Sequence, residues 1–381
     1  MSAHSHPHVD AIVLGGGTMG SAAAWELGKR GRSAIVFEQF QHVHDRGAHS
    51  GDTRVFRHAY WESPDYVPLV RRADALWMDL EAESGKKILE RCGIIEMAAP
   101  GVDGPGDSIA CAIEYDIPHE VLAPAEIRAR WPEIAVPDDW TAMYSPVAGF
   151  LRTVPALRAM MAGATANGVQ LRAHEAVHDW GATDGGVWVE SDAGRFTADR
   201  LYITAGPWVA KTLARLGLPL HVRRKTLWWL ETADDAAFDP SRFPVWAAGT
   251  ARGGFYGFPV IDEFGLKCAD HLGGETTDPD TIDRTTTEEE AAYLIDEITA
   301  IFPKVRRTVT RSAVCMYAMT PDAHFIVDRM PGQPNVVIGG GFSGHGFKFA
   351  PAVGEALVEL GENPAARPMP ILAIGREVLA V

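Results

Sequence analysis

Two glycine clusters at opposite ends of the chain hold the residues best suited to chemistry. Toward the C-terminus, Asn335-Val-Val-Ile-Gly-Gly-Gly-Phe-Ser-Gly344-His-Gly346-Phe-Lys348 runs a β-branched strand into a glycine-dense loop. Glycines at that density let a backbone approach a bound molecule or adopt positive φ. A lysine among them can meet an anion, and loops at strand ends are where open α/β sheets take ligands. Toward the N-terminus, Asp10-Ala-Ile-Val-Leu14 reads as a short buried strand. Gly15-Gly-Gly17-Thr18-Met19-Gly20 follows, then a helix through Ala22, Ala23, Ala24 and Leu27, and a second strand, Ser33–Phe37, closing on Glu38. This is the spacing of a dinucleotide site. Gly15, Gly17 and Gly20 allow a tight turn and close approach to a pyrophosphate, and the helix N-terminus supplies free N–H groups and a favourable dipole. Glu38 can accept both hydroxyls of an adenosine ribose and would repel a 2′-phosphate. The fingerprint alone does not separate NAD from FAD, but a second nucleotide-facing segment near the C-terminus is more than an NAD dehydrogenase usually needs.

The elements that must position these residues are spread over the chain. An amphipathic helix is expected over Tyr66–Glu83, with Leu69, Val70, Ala73, Leu76, Trp77 and Leu80 on one face. Further helices are expected over Thr153–Ala166 and Glu288–Phe302, a hairpin turn at Gly185–Gly186, and an aromatic, strand-rich stretch from His221 to Lys267. Strand-to-glycine transitions recur at Arg200–Gly206 and in the C-terminal loop. Nucleotide-binding character therefore appears in three separated places. The expected organisation is a discontinuous cofactor domain (1–86, 148–218 and 322–381) with a substrate domain (87–147 and 219–321) inserted into it.

Composition narrows the partners. The chain has 381 residues, 35 basic and 50 acidic, for a net charge of −15, which argues against nucleic acid. No apolar run reaches the ~18 residues of a membrane span, and the first residues contain no apolar signal segment. Cys92, Cys111, Cys268 and Cys315 are scattered and form no CxxC, so neither a metal site nor a disulfide framework is expected, and a reducing cytoplasm is. His4, His6 and His8 could hold a transition metal weakly, but a terminal tail is the better account.

Five motifs in order, Gly51-Asp-Thr-Arg54-Val-Phe-Arg57-His-Ala-Tyr60, Tyr256-Gly-Phe-Pro259, Gly265-Leu-Lys267, Ala313-Val-Cys315-Met-Tyr317 and Gly341-Phe-Ser-Gly-His-Gly-Phe-Lys348, resemble the monomeric sarcosine oxidase and N-methyltryptophan oxidase family. The resemblance covers nearly the whole chain. It implies an α/β fold with a glutathione-reductase-like FAD-binding domain and an inserted substrate domain containing a mixed β-sheet. It implies a monomeric FAD oxidase of secondary amino acids such as sarcosine, with O2 as acceptor and hydrogen peroxide as product. Carried over residue by residue, it makes Cys315 the covalent attachment point of the flavin. Arg57 and Lys348 become holders of the substrate carboxylate, Lys267 the promoter of the oxygen reaction, and Arg54 a neighbour of the flavin. Tyr256, His271 and Tyr317 become cavity wall, and Gly344, Gly346 and Lys348 lie in the segment that closes on the cofactor.

The residues themselves support part of this. A desolvated carboxylate needs compensation, which a guanidinium and an ammonium provide. Without the resemblance, Cys315 between Val314 and Met316 would pass for an ordinary buried thiol. Two positions depart from the family. Ser50 stands where sarcosine oxidases carry a histidine, with His49 one step earlier, and Ala247 aligns with their methionine. The smaller Ala247 leaves room for an amino acid bulkier than sarcosine, of N-methyltryptophan, pipecolate or proline type. The competing readings are a flavin dehydrogenase with a non-oxygen acceptor and a non-catalytic flavoprotein.

Overall fold

The computed structural model describes residues 7–183 and 185–379, arranged as two large mixed sheets bridged by a small third. In the first sheet five strands run parallel, in the spatial order Gln170–Ala173, Ala34–Glu38, Val9–Leu14, Gly194–Ile203 and Gln333–Gly340. Ile326–Met330 adds an antiparallel edge, and the first half of Gly194–Ile203 carries the hairpin Val177–Thr183/Gly186–Ser191. Parallel strands are covered on both faces, which is why Ala11, Ile12 and Val13 are consecutive, apolar and buried. Helices Thr18–Lys29, Thr153–Ala166 and Ala350–Glu362 cover one face. Trp180, Val189, Val209 and Leu213 cover the other. The helices touch closely because the contact residues are small. A Cβ on Gly354 would sit 2.6 Å from the Ala22 carbonyl carbon.

His221–Thr232 is the spine of the second sheet. Val305–Met319 pairs along one of its edges; Leu266–Asp270 and Thr276–Thr277 pair along the other. Beyond Leu266–Asp270 come Gly253–Gly257, Val245–Thr250, Ile94–Ala98, Thr141–Ser145 and Glu120–Leu122. Helix Glu288–Ile301 starts at a Thr287/Glu290 capping box and lays Leu294, Ile295 and Ile298 onto this sheet. Each such burial contributes about 1.5–3 kcal/mol. The bridging sheet pairs Gly149–Arg152 with Leu89–Glu90 and with Thr53–Phe56, the strand that carries Arg54 and leads to Arg57.

The helix expected over Tyr66–Glu83 spans Val67–Ser84; that over Thr153–Ala166 has those bounds, and that over Glu288–Phe302 ends at Ile301. Strands flank the expected hairpin turn, whose residue 184 lies outside the described residues, as do His4 and His6. His8 bonds to Thr197 at 3.0 Å and to Asp199 at 2.9 Å. No described helix is long and apolar enough to cross a membrane.

Candidate active site

A cavity of about 480 Å³ opens at the C-terminal ends of the parallel strands, lined by Gly15, Gly17, Thr18, Met19, Glu38, Gly344 and Gly346 among others. Each fingerprint glycine has its own reason. Gly15 has φ +101°, and a Cβ there would lie 2.6 Å from the Thr204 carbonyl; a Cβ on Gly20 would lie 1.8 Å from the Gly15 carbonyl. Gly17 meets nothing within 4 Å, so its bare backbone faces open space at the N-terminus of helix Thr18–Lys29. That N-terminus has no side-chain cap and no acid in its first turn. Glu38 is buried, accepting from the Gly16 N–H at 3.1 Å and the Phe40 N–H at 2.9 Å. An anion cradle with an acid one strand away fits the pyrophosphate and ribose of a dinucleotide.

Next to this cavity lies a buried charged cluster. Arg57 donates to the Ala59 carbonyl at 2.7 Å and to Glu62 at 2.6 Å, with its guanidinium 3.8 Å over the Trp61 ring. Burial by itself would raise the Glu62 carboxyl, but the charge and hydrogen bond of Arg57, helped by Lys348, outweigh it and hold it at about 2. Lys348 follows Phe347, which lines the cavity, but points away into the protein, donating to the Tyr60 hydroxyl at 3.1 Å and the His345 carbonyl at 2.9 Å. Burial, reinforced by the Arg57 charge, lowers Lys348 to about 7. His345 completes the chain of bonds. Its Nε2 lies 2.9 Å from the Ala323 carbonyl, which can only accept, so Nε2 carries the proton and Nδ1 accepts from Tyr60 at 2.6 Å. Tyr60 thus turns an oxygen lone pair toward Lys348.

Across the second sheet, Tyr256 and Tyr317 approach at 3.5 Å between hydroxyls, and Tyr317 stands 3.4 Å from His271 Nδ1. Burial lowers His271 to about 4, so it is neutral at physiological pH. Gly344 has φ +83°, and a Cβ there would come 2.3 Å from the Tyr317 ring; the loop glycine makes way for this tyrosine. Lys267 is buried and donates to the Gly51 carbonyl, the Thr53 carbonyl at 3.1 Å and the Thr53 hydroxyl at 3.0 Å. Burial, then the Arg54 charge, pushes it well below the ordinary lysine range. Arg54 donates to the Thr53, Ala48 and Ser50 carbonyls, each at 2.7 Å, and reaches Cys315 Sγ at 3.5 Å. Cys315 is buried between two openings. Met316 and Tyr317 line the large cavity, while Ala313 and Val314 line a second of about 360 Å³. Ser50 donates to the Val314 carbonyl at 3.4 Å, and His49 borders both cavities.

Sequence reasoning named Arg57, Lys348, Tyr256, His271, Tyr317, Lys267, Arg54 and Cys315 but missed Tyr60, Glu62 and Glu96. Glu62 had a visible signal, an acid five residues beyond a buried arginine. Glu96 sits in the apolar run Ile94–Ala98, where a charge is costly and for that reason conspicuous.

The profile of the family described as DAO, FAD dependent oxidoreductase, matches residues 10–360. The chain is 37% identical over 358 residues to the monomeric sarcosine oxidase of Bacillus sp. (strain B-0618), covering 93% of this chain and 92% of that protein. It is 32% identical over 369 residues to the N-methyl-L-tryptophan oxidase of Yersinia pestis (strain Pestoides F), covering 95% and 96%. Among solved structures, NikD, an amino acid oxidase essential for nikkomycin biosynthesis, superposes with a TM-score of 0.86 at 23% identity over 97% of this chain and 98% of that one. Glycine oxidase from Geobacillus kaustophilus gives 0.80 at 22% over 97% and 99%.

Proposed function

The chain belongs to the DAO family of FAD-dependent oxidoreductases, and from that premise we propose that it oxidises N-methyl and other secondary amino acids at the C–N bond. The observation that carries the substrate class is the pair of buried cations, Arg57 and Lys348, packed beside the dinucleotide cavity where an amino acid's carboxylate needs them.

FAD, when bound, supplies the hydride acceptor, and the cradle at Gly15–Gly20 with Glu38 would hold it. The remaining work belongs to the chain. Arg57 exchanges Glu62 for the substrate carboxylate, and Lys348 adds its charge from the Tyr60–His345 side. Tyr256, Tyr317 and neutral His271 exclude water and orient the amine, which must be unprotonated to release hydride. Water then hydrolyses the imine, releasing formaldehyde from an N-methyl group. We assign Lys267 to the oxygen step. Burial depresses its affinity for a proton in the resting site; negative charge developing on O2 beside it would raise that affinity again, so that a Lys267 ammonium stabilises the charge on the way to peroxide. Cys315 is assigned to covalent attachment of the flavin, a reading its position between the two cavities supports. The same reading makes the protein a cytoplasmic monomer, in keeping with its four free cysteines, with the strands of the second sheet as the substrate domain.

A peroxide-release assay over N-methyl, cyclic and primary amino acids tests the substrate class. Highest kcat/KM among secondary amino acids is expected, whereas turnover confined to primary amines would overturn it. Anaerobic reduction followed by slow reoxidation in air would favour a dehydrogenase. Acid precipitation tests attachment: a yellow pellet from the wild type and a colourless one from Cys315→Ala are expected.

A further inference from the structure

Glu96 is buried in the middle of the second sheet, and only half of its carboxylate is used. Ser108 donates to Oε2 at 2.5 Å, while Oε1 has no hydrogen-bond partner among the described residues. A buried carboxylate left in this state is costly, and the usual remedy is a partner. The register shows which way it faces. Glu96 is level with Ala247 on the adjacent strand, and Ala247 is level with Tyr256 on the next. Residues paired across neighbouring strands project from the same face, so Glu96 shares the face that presents Tyr256 to the substrate. Two strand spacings separate the Glu96 and Tyr256 rows, roughly 10 Å, about the reach of an amino-acid side chain of several methylenes. Between them stands Ala247, short and partly exposed, so no bulky side chain fills the row.

The charges lie in the same compartment. Burial raises the Glu96 carboxyl above its ordinary range, with the Arg57 charge opposing it, and helix Pro105–Glu114 ties the two places together. Ser108 holds Glu96, and Cys111 Sγ, one turn on, accepts from the Tyr60 N–H at 3.3 Å. A cation placed against the free Oε1 would favour the charged carboxylate over the protonated one. The α-amine cannot supply it, since it must be neutral to react, so the cation has to come from elsewhere on the substrate.

We propose that Glu96 is a specificity-determining residue that receives a cationic group at the end of the substrate's side chain, so that the preferred substrate is a secondary amino acid with a basic side chain. This rests on Arg57 and Lys348 anchoring the carboxylate. Sarcosine, lacking a side chain, leaves the subsite unfilled.

The test uses two carboxylates without an α-amine, 6-aminohexanoate and hexanoate, titrated into purified holoenzyme and followed by flavin absorbance. The wild type is expected to bind 6-aminohexanoate at least tenfold more tightly. Glu96→Gln, which is isosteric, should bring the two within about twofold while leaving hexanoate within threefold of the wild type. Glu96→Val replaces a buried charge by an apolar group, a change that cores often tolerate, and should reverse the preference. Equal binding by the wild type, or equal weakening of both ligands in either variant, overturns the proposal. Neither ligand has an α-amine to be oxidised, so the binding ratio stands apart from the oxidase reading, which the peroxide assay with sarcosine decides separately.

Discussion

The Arg57 guanidinium donates to the Glu62 carboxylate at 2.6 Å, in a largely buried pair that a substrate carboxylate would have to open. Removing one partner of such a pair strands the other charge, which costs about 3–5 kcal/mol. Arg57→Met should therefore lose that much stability in urea unfolding as well as carboxylate affinity. The double variant Arg57→Met/Glu62→Leu should recover the stability but not the affinity. Recovery of both would remove Arg57 from carboxylate binding.

Lys348, lowered to about 7, carries its proton only below that pH in the free enzyme. Hexanoate affinity should fall as pH rises through 7, with the decline displaced upward by the ligand's own charge. Lys348→Met should bind hexanoate weakly at every pH while retaining its flavin. Loss of flavin with an unchanged ligand profile would make Lys348 a cofactor residue instead.

Burial, the nearby charges notwithstanding, lowers His345 to about 3, so the fold requires it neutral. The unfolded chain binds a proton near pH 6.5 that the folded one refuses, so stability is lost as pH falls below 6.5. At pH 5 the loss is about 2 kcal/mol for such a histidine. His345→Gln should start from a lower Tm at pH 7 but show a shallower decline toward pH 5. His49 and His271, lowered to about 3 and about 4, should keep part of the slope.

Gly20 and Gly17 should fail differently. Alanine at Gly20 puts a Cβ 1.8 Å from a backbone oxygen, so Gly20→Ala should lower the apoprotein Tm together with flavin content. Alanine at Gly17 meets nothing of the protein, so Gly17→Ala should keep the apoprotein Tm and lose only FAD. Equal Tm losses in the two variants would show that Gly17 serves the turn and not the cofactor.

The N-terminal βαβ unit was legible because every layer of it agrees: an apolar run, glycines at fixed spacing and an acid at the next strand end. Helix Val67–Ser84 was legible from period alone, since its buried residues repeat at helical spacing. Glu96 was not, because its meaning is set by partners outside its own strand. Glu96 is defined by Ser108 on a helix and by register with Ala247, and no local pattern encodes a lateral neighbour on another strand. The glycine loop was half legible. Its ligand character could be read, but not that Gly344 yields space to Tyr317 or that His345 fixes the proton of Tyr60.

The second of the first strand's two partners arrives late in the chain: the Thr204 hydroxyl bonds the Leu14 carbonyl from 190 positions away, and Gln333–Gly340 must still dock beyond it. During synthesis, the residues that cradle the pyrophosphate emerge long before the sheet that supports them can close. Flavin capture should therefore be among the last events of folding, and slow, as is usual when distant segments must pair. A cell short of FAD would accumulate chains whose sheet has closed without the stability the cofactor adds, and such chains are natural targets for proteolysis.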